Sequence, residues 1–425
     1  MYYFHHPMNT KKLHTPVVII GAGPAGTSTS IFLSKAGVPH IILEKAVFPR
    51  DKVCGDGCSG KTTHVLRSAN PAWLDEIYGL KETFLPCYGI QFIAPNGKGI
   101  DIPEKPDFKP GERPSGFVVP RLELDYFLFK KIDPAYATVM QNTTIESVTE
   151  TPDAMVILAR QNGGLYEIIT PLVVGADGDK SLIRKQFLTE FVTPKTSAVG
   201  LRAYYDGVTG MHPESFLELH FLPEILPGYL WIFPLPNGRS NVGITILSKD
   251  VRAKKINLRE TMLHALNTNP AMKKRFENAT LVDKISGCGL PMCIDRMPVS
   301  GNRFLLTGDA AALIDPFSGE GIGNALFSGK LAAEAIVKAI AQQDYSKAFL
   351  AKNYDDVLFS KIGSELKISG IMQRLCRIPW LFNFVVNKAA KSPSLQKTIS
   401  CMFSDLDMRA QLKKPSFYFK ILMNR

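Results

Sequence analysis

The stretch Val17 to Glu44, VVIIGAGPAGTSTSIFLSKAGVPHIILE, constrains this chain more than any other. Val17, Val18, Ile19 and Ile20 form a short apolar run that reads as a buried parallel strand. Gly21, Gly23 and Gly26 follow with the spacing G-x-G-x-x-G. Gly21 permits a sharp turn, Gly23 lets a pyrophosphate approach the backbone, and Gly26 lets the next helix pack on the strand. That helix, with Ala25 in its first turn, offers free amides and a positive dipole end to phosphates. Ile41, Ile42 and Leu43 make a second strand, and Glu44 stands where a ribose-binding acid belongs, with Lys45 beside it. Strand, turn, helix and acid in register predict a dinucleotide site.

With 425 residues the chain has room for two or three domains, and 45% hydrophobic against 21% charged content suits a globular core. Its seven cysteines are odd in number and scattered, as expected of reduced thiols in a cytoplasm, and no pair has zinc-finger spacing with a second pair or a His pair behind it, so no metal is expected. The opening MYYFHHPMNTKKLHTP has no apolar signal core and reads as a frayed tail. No run of about 18 apolar residues predicts a membrane span. Residues 361–425 carry 12 basic and 3 acidic residues, so most of the net charge of +11 lies there. This basic C-terminal region reads either as a solvated helical face or as a peripheral contact with an anionic membrane, where each nearby basic residue adds about 1 kcal/mol. No nucleic-acid motif accompanies it.

Ala46 to Gly60 is too rich in Pro, Gly and Asp for a long element, and its glycines suggest backbone pressed against something flat or phosphorylated. Helix is expected over 61–80 with a break at Pro71, over Leu122 to Ile132, over Asn257 to Glu277 and over Asn324 to Ile340. Thr143 to Ile169 reads as antiparallel strands around Asn162-Gly163-Gly164, and 196–250 as mostly strand. Two further buried strands end in small residues and an acid: Leu172 to Gly178, and Phe304 to Asp309. In open α/β sheets ligands bind beyond the carboxyl ends of the strands. One long dinucleotide touching all three ends therefore fits, in a domain assembled from separated segments. A second nucleotide fingerprint is absent.

The set Gly21–Gly26 with Glu44, Gly175-Ala176-Asp177-Gly178, and Gly308-Asp309-Ala310-Ala311 running into Asp315-Pro316-Phe317-Ser318-Gly319-Glu320-Gly321-Ile322-Gly323-Asn324 resembles the para-hydroxybenzoate-hydroxylase-type flavoproteins. That resemblance implies FAD as cofactor. Gly21, Gly23, Ala25, Gly26, Glu44 and Lys45 would hold its ADP half. Arg121 would reach the pyrophosphate or ribityl region, Asp309 would bind the ribityl chain, the amides near Gly321, Ile322, Gly323 and Asn324 would face the flavin edge, and Asp177, Gly308 and Pro316 would also bind the cofactor. Cys54 would lie in the loop over the flavin. The implied fold is α/β. A Rossmann-type FAD-binding domain is drawn from 16–80, 105–190 and 283–345, an antiparallel β-sheet substrate domain from 81–104 and 191–282, and a helical basic C-terminal region from 346–425.

Within that superfamily, Phe48-Pro49-Arg50-Asp51-Lys52-Val53-Cys54-Gly55-Asp56-Gly57 and Tyr229-Leu230-Trp231-Ile232-Phe233-Pro234 resemble the geranylgeranyl reductase family. A proline that usually lies three residues before the Tyr is Leu226 here, with Pro227 one place later. The resemblance implies saturation of C=C bonds in an isoprenoid or other lipid-like substrate by hydride from reduced FAD, with NADPH or ferredoxin as electron donor. Such chemistry needs a proton source and a dry apolar tunnel. Tyr229, Trp231 and Phe233 alternate on a strand and share a face, as tunnel lining or as core packing. Cys54 reads as a proton donor or as a small buried thiol. His64, His220 and His264 have no constellation around them. Ile378 to Val386, apolar with Trp380, reads as an interfacial segment or a helix docked on the core, giving a cytoplasmic protein peripheral at a membrane. The alternative is a monooxygenase or halogenase acting on an aromatic substrate. A halogenase has W-x-W-x-I-P where Tyr229 to Pro234 stands, and its catalytic Lys has no counterpart in Gly89 to Ile93.

Overall fold

The computed structural model describes residues 10–105, 108–109, 111–188, 192–392 and 396. Its organising layer is a six-stranded sheet in the order Ser300–Gly301, Phe304–Leu306, Leu172–Gly175, Val17–Ile20, His40–Leu43, Ala137–Met140. Five of these strands run parallel, and the short edge strand Ser300–Gly301 is antiparallel. The runs VVII, HIIL and LVVG have no polar alternation because helices and loops cover both faces, and all their residues are buried.

Glycines let the helices approach this sheet at backbone distance. Gly21 adopts a φ of +99°, and a side chain there would meet the Ala176 carbonyl at 2.4 Å. The fingerprint helix Pro24–Lys35 packs along the long helix Ile322–Gln342 through small residues. A methyl on Gly329 would lie 2.4 Å from the Ala25 carbonyl, and Ser28 Oγ donates to the Leu326 carbonyl at 2.6 Å.

A second, eight-stranded sheet stands beyond the strand ends. Its backbone runs Thr280–Leu281, Ser197–Asp206, Arg239–Leu247, Tyr229–Pro234, Leu217–His220, Gly89–Ile93, Gly99–Pro103, with Ser286–Pro291 also paired to Ser197–Asp206. Neighbours are antiparallel except Leu217–His220 beside Gly89–Ile93. A four-stranded sheet contains the expected antiparallel set Thr143–Glu150, Met155–Gln161 and Gly164–Thr170.

Two expectations need correction. Lys11–His14 is not a frayed tail: it is a strand parallel to Gly164–Thr170, completing that sheet. The helix expected over Asn257 to Glu277 is two helices, Leu258–Thr268 and Pro270–Phe276. Pro270 lacks the amide needed to continue the first helix, and Asn269 caps the second by accepting from Ala271 N at 2.9 Å. The break expected at Pro71 falls between Gly60–Ala69 and Ala72–Gly79. The C-terminal region forms the helices Asp356–Leu375 and Pro379–Ala389. Much of the expected basic region, from 393 onward apart from 396, lies outside the described residues.

Two of the helical glycines, Gly329 and Gly363, separate close approach from mere tolerance. Gly329→Ala should destabilise the fold by about 1–3 kcal/mol, because the methyl has no space. Gly363→Ala, whose methyl would meet nothing nearer than 3.7 Å, should stabilise by about 0.5–1 kcal/mol. Chemical denaturation of both variants checks the pair.

Candidate active site

One cavity of about 1180 Å³ runs from the carboxyl ends of the parallel strands to the inner face of the eight-stranded sheet. Among the expected cofactor residues, Gly21, Gly23, Ala25, Glu44, Lys45, Cys54, Arg121, Asp177, Asp309, Gly321 and Ile322 line it. Tyr229 and Trp231 line its far end. Gly26, Gly308, Pro316 and Gly323 do not; they pack behind the wall. A methyl on Gly26 would lie 1.8 Å from the Gly21 carbonyl, and one on Gly308 would lie 3.0 Å from Ala25 and Ala325.

The strand ends present fixed charges and free donors. Glu44 is buried, and its two oxygens accept from Ala22 N at 2.7 Å and Ala46 N at 2.9 Å, which locks the carboxylate at the fingerprint turn. Asp177 Oδ2 accepts from Leu182 N at 2.6 Å, while buried Oδ1 has no partner among the described residues. The helix Ile322–Gln342 starts at Gly321 with no side-chain cap, and Gly321 and Ile322 at its head line the cavity. A long groove with a glycine cradle, an orphaned carboxylate oxygen and an uncapped helix head fits FAD.

Asp125 and Arg184, which the sequence did not single out, hold this frame, together with Arg50 and Lys52, which the sequence left as phosphate-steering or solvated. Buried Asp125 accepts both Arg121 (Nε 2.7 Å, Nη2 2.8 Å) and Arg50 (Nη1 2.6 Å), aligning two guanidinium groups on the cavity wall. Arg184 Nη1 donates to the Asp309 and Ala310 carbonyls at 2.8 and 2.9 Å, and so fixes the Gly308–Ala311 turn. Lys52 Nζ reaches Asp309 Oδ2 at 2.8 Å. Burial opposes ionisation of Asp309, but Lys52 together with Arg121 and Arg184 outweighs it and holds the carboxyl below its usual range. The i, i+4 spacing of Arg121 and Asp125 is visible in the sequence; the long-range partners are not.

At the apolar end, Tyr229 Oη donates to the Ser318 carbonyl at 2.6 Å, tying the second sheet to the loop before Gly321. Trp231 Nε1 donates to Asn241 Oδ1 at 2.8 Å, which orients Asn241 Nδ2 toward Asp56 Oδ2 at 2.7 Å. Tyr204 Oη donates to the same oxygen at 2.7 Å. Asp56 is fully buried, and burial pushes its carboxyl up from 3.8 to about 6 against these hydrogen bonds and the charges of Arg202 and Arg121. Burial likewise raises the Cys54 thiol, with Arg121 opposing, so Sγ keeps its proton at neutral pH. His220 is not isolated: it pairs at 3.1 Å with buried Glu218, which also takes Arg275. This cluster lies outside the cavity lining.

Fold and site together define a flavoprotein oxidoreductase. Residues 14–340 match the family described as FAD binding domain, and the chain belongs to it. The chain is 32% identical over 349 residues to a menaquinone reductase of Mycolicibacterium smegmatis, covering 80% of each chain. It is 29% identical over 366 residues to digeranylgeranylglycerophospholipid reductase 2 of Methanococcoides burtonii, covering 85% of this chain and 84% of that one. A geranylgeranyl bacteriochlorophyll reductase-like protein from Thermoplasma acidophilum shares the fold at a TM-score of 0.79 and 20% identity, over 95% of this chain and 99% of that one. The flavin-dependent brominase Bmp2 shares it at a TM-score of 0.76 and 19% identity, over 96% and 98%. The protein is an FAD-dependent oxidoreductase.

The buried Asp56 carboxyl makes stability pH-dependent. The folded chain binds this proton more tightly than the unfolded one. Its contribution is therefore full below about pH 3.8 and is lost as pH rises through about 6. Relative to Asp56→Asn, the parent should lose about 3 kcal/mol across that window and run parallel to it above. Denaturant titrations of both proteins from pH 4 to 8 check the slope.

Proposed function

We propose that this protein saturates C=C bonds in an isoprenoid or similarly lipid-like substrate. The carrying observation is the continuity of the cavity: a charged, glycine-lined half joins an apolar half walled by Leu217, Leu219, Tyr229, Trp231 and Phe233 without a partition. Bound in the charged half, reduced FAD supplies a hydride. Glu44 and the Gly21–Gly26 turn hold the ADP half, Arg121 and Arg50 face the pyrophosphate, and Asp309 takes the ribityl chain. The amides at Gly321–Asn324 favour negative charge on the reduced ring. The aromatic wall orients a prenyl chain and excludes water. Cys54, neutral in the cavity wall, holds the proton for the second carbon at Sγ. The reductase names borne by the two sequence relatives support this reading.

The alternative, oxygenation or halogenation of an aromatic ring, has the shared fold in its favour. Against it, the strand Gly89–Ile93 reads GIQFI, and its one polar side chain, Gln91, is taken up by Asp101 at 2.7 Å. No lysine is there to activate a hypohalous acid. The test is anaerobic. Photoreduced enzyme mixed with a polyprenyl lipid should reoxidise and yield product two hydrogens heavier per saturated bond. A requirement for O₂, with oxygen or halogen in the product, sinks the reductase reading. NADPH and ferredoxin are the donors to try in steady state.

We also place the C-terminal helices at a membrane surface. Among the described residues no helix is long and apolar enough to cross one. Helix Pro379–Ala389 turns Phe382, Val386 and Ala389 inward, with Phe382 on Phe221 at 4.6 Å, so the docked reading of this segment holds for one face. Its other face leaves Trp380 70% and Phe384 57% exposed, beside exposed Lys388 and Lys391. Aromatic and basic groups together suit anionic headgroups. Trp380→Ala with Phe384→Ala should weaken binding to anionic vesicles by about tenfold or more, and added salt should weaken the parent's. Unchanged sedimentation with vesicles removes this part of the reading.

A further inference from the structure

Helix Asp356–Leu375 carries three buried polar residues at intervals of four: Glu365, Ser369 and Gln373. That spacing sets them on one face. Gln373 and Ser369 bear on the loop that ends at Gly321, and Glu365 reaches the first turn of the helix beyond it through Lys61. Gln373 Nε2 donates to the Pro316 carbonyl at 2.5 Å. Ser369 lends its hydroxyl to the buried Asp315 carboxyl, whose Oδ1 accepts from Phe317 N at 2.9 Å and Ser318 N at 2.8 Å. Glu365 Oε1 accepts from Lys61 Nζ at 2.6 Å, and the same ammonium donates to Asn324 Oδ1 at 2.5 Å. Asn324 lies in the first turn of helix Ile322–Gln342, anchored by its Nδ2 on the Leu313 carbonyl at 2.7 Å.

Lys61 is completely buried. Taking an ammonium and a carboxylate out of water costs about as much as their attraction returns, so such a pair adds little net stability. What it does supply is a fixed charge in a low-dielectric layer. The carboxylates facing this layer are Glu365, Asp315, and Glu320, which accepts from Ser59. The ammonium bridges Glu365 and Asn324 in the first helical turn, and Glu320 Oε1 lies at the same turn, 2.3 Å from where a methyl on Gly323 would be.

We propose that Lys61, held by Glu365, is a positioning residue of the redox centre. Its charge sets the field at the first turn of helix Ile322–Gln342, and so the ease with which a flavin there is reduced. Helix Asp356–Leu375 is then part of the redox site even though none of its residues lines the cavity. The inference rests on placing the flavin edge at Gly321–Asn324, as proposed above.

The experiment is the midpoint potential of the FAD-loaded full chain, measured by dye-coupled photoreduction without substrate. Lys61→Met should lower it and Glu365→Gln should raise it. Each shift should be about 30 mV or more, a tenfold change in the reduced-to-oxidised ratio for a two-electron couple. The double variant Lys61→Met with Glu365→Leu should return toward the parent. Should Lys61→Met fail to fold, Glu365→Gln and the charge-keeping Lys61→Arg still decide: the first raises the potential and the second leaves it in place. A merely structural pair would move both single variants the same way; that result, or no shift in FAD-loaded variants, overturns the proposal. The cofactor groove is tested separately by FAD content, which Asp309→Ala should abolish. Failure of the groove, of the substrate reading and of the Lys61 reading therefore appear in three different measurements.

Discussion

Everything in this chain hangs on backbone meeting backbone at the ends of three parallel strands. Ala176 N donates to the Ile20 carbonyl at 2.8 Å, and Thr307 N to the Gly175 carbonyl at 2.9 Å, so the three ends form one edge. Gly21 turns there at a φ of +99° with the Ala176 carbonyl against its Cα hydrogens. Gly26 then brings the helix onto Gly21, and Gly329 brings the long helix onto Ala25. Each step removes a side chain where two main chains converge. The result is a rigid edge with free amides, which is what a dinucleotide needs and what no arrangement of larger residues could supply.

A short segment, Arg50 to Asp56, joins that edge to the second sheet by alternating its charges. Arg50 goes to Asp125 and Lys52 to Asp309, both on the cofactor side. Asp51 goes to Arg202 at 2.5 Å and Asp56 to Tyr204 and Asn241, both on the eight-stranded sheet. Basic residues face one way and acidic residues the other. Cys54 sits in the middle of this seam with its carbonyl accepting from Asn241 Nδ2 at 2.8 Å. Its position relative to both halves of the cavity is therefore set by four polar attachments rather than by its own packing.

The sequence was readable where function is local. VVII, GAGPAG and Glu44 are contiguous, and the glycine spacing has one good structural explanation, so the cofactor edge could be placed from the residues. The same holds for Asp309 and for the alternation of Tyr229, Trp231 and Phe233, all of which line the cavity, whereas Gly308 packs behind it. What stayed hidden depends on contacts across great sequence distance. Nothing in GKTTH marks Lys61; its partners Asn324 and Glu365 lie 263 and 304 residues away. Asp56 read as one acid in a glycine-rich loop until Asn241 and Tyr204 closed on it. Lys11–His14 read as tail because an edge strand four residues long carries no periodic signal of its own; its partner Gly164–Thr170 supplies the pattern.

The division of labour within the cavity follows from these attachments. Tyr229 belongs to the apolar wall, yet its hydroxyl holds the Ser318 carbonyl, and a methyl on Gly319 would lie 2.6 Å from that oxygen. The loop before Gly321 is thus gripped from the substrate side by Tyr229 and from behind by Gln373 on Pro316. On the proposed reading, a chain in the apolar half would bear on the same loop that leads into the helix head, and Tyr229 and Ser318 would couple substrate pose to flavin environment. Cys54 shares the same dryness: burial raises its thiol and keeps Sγ protonated, the state that the proposed proton donation requires.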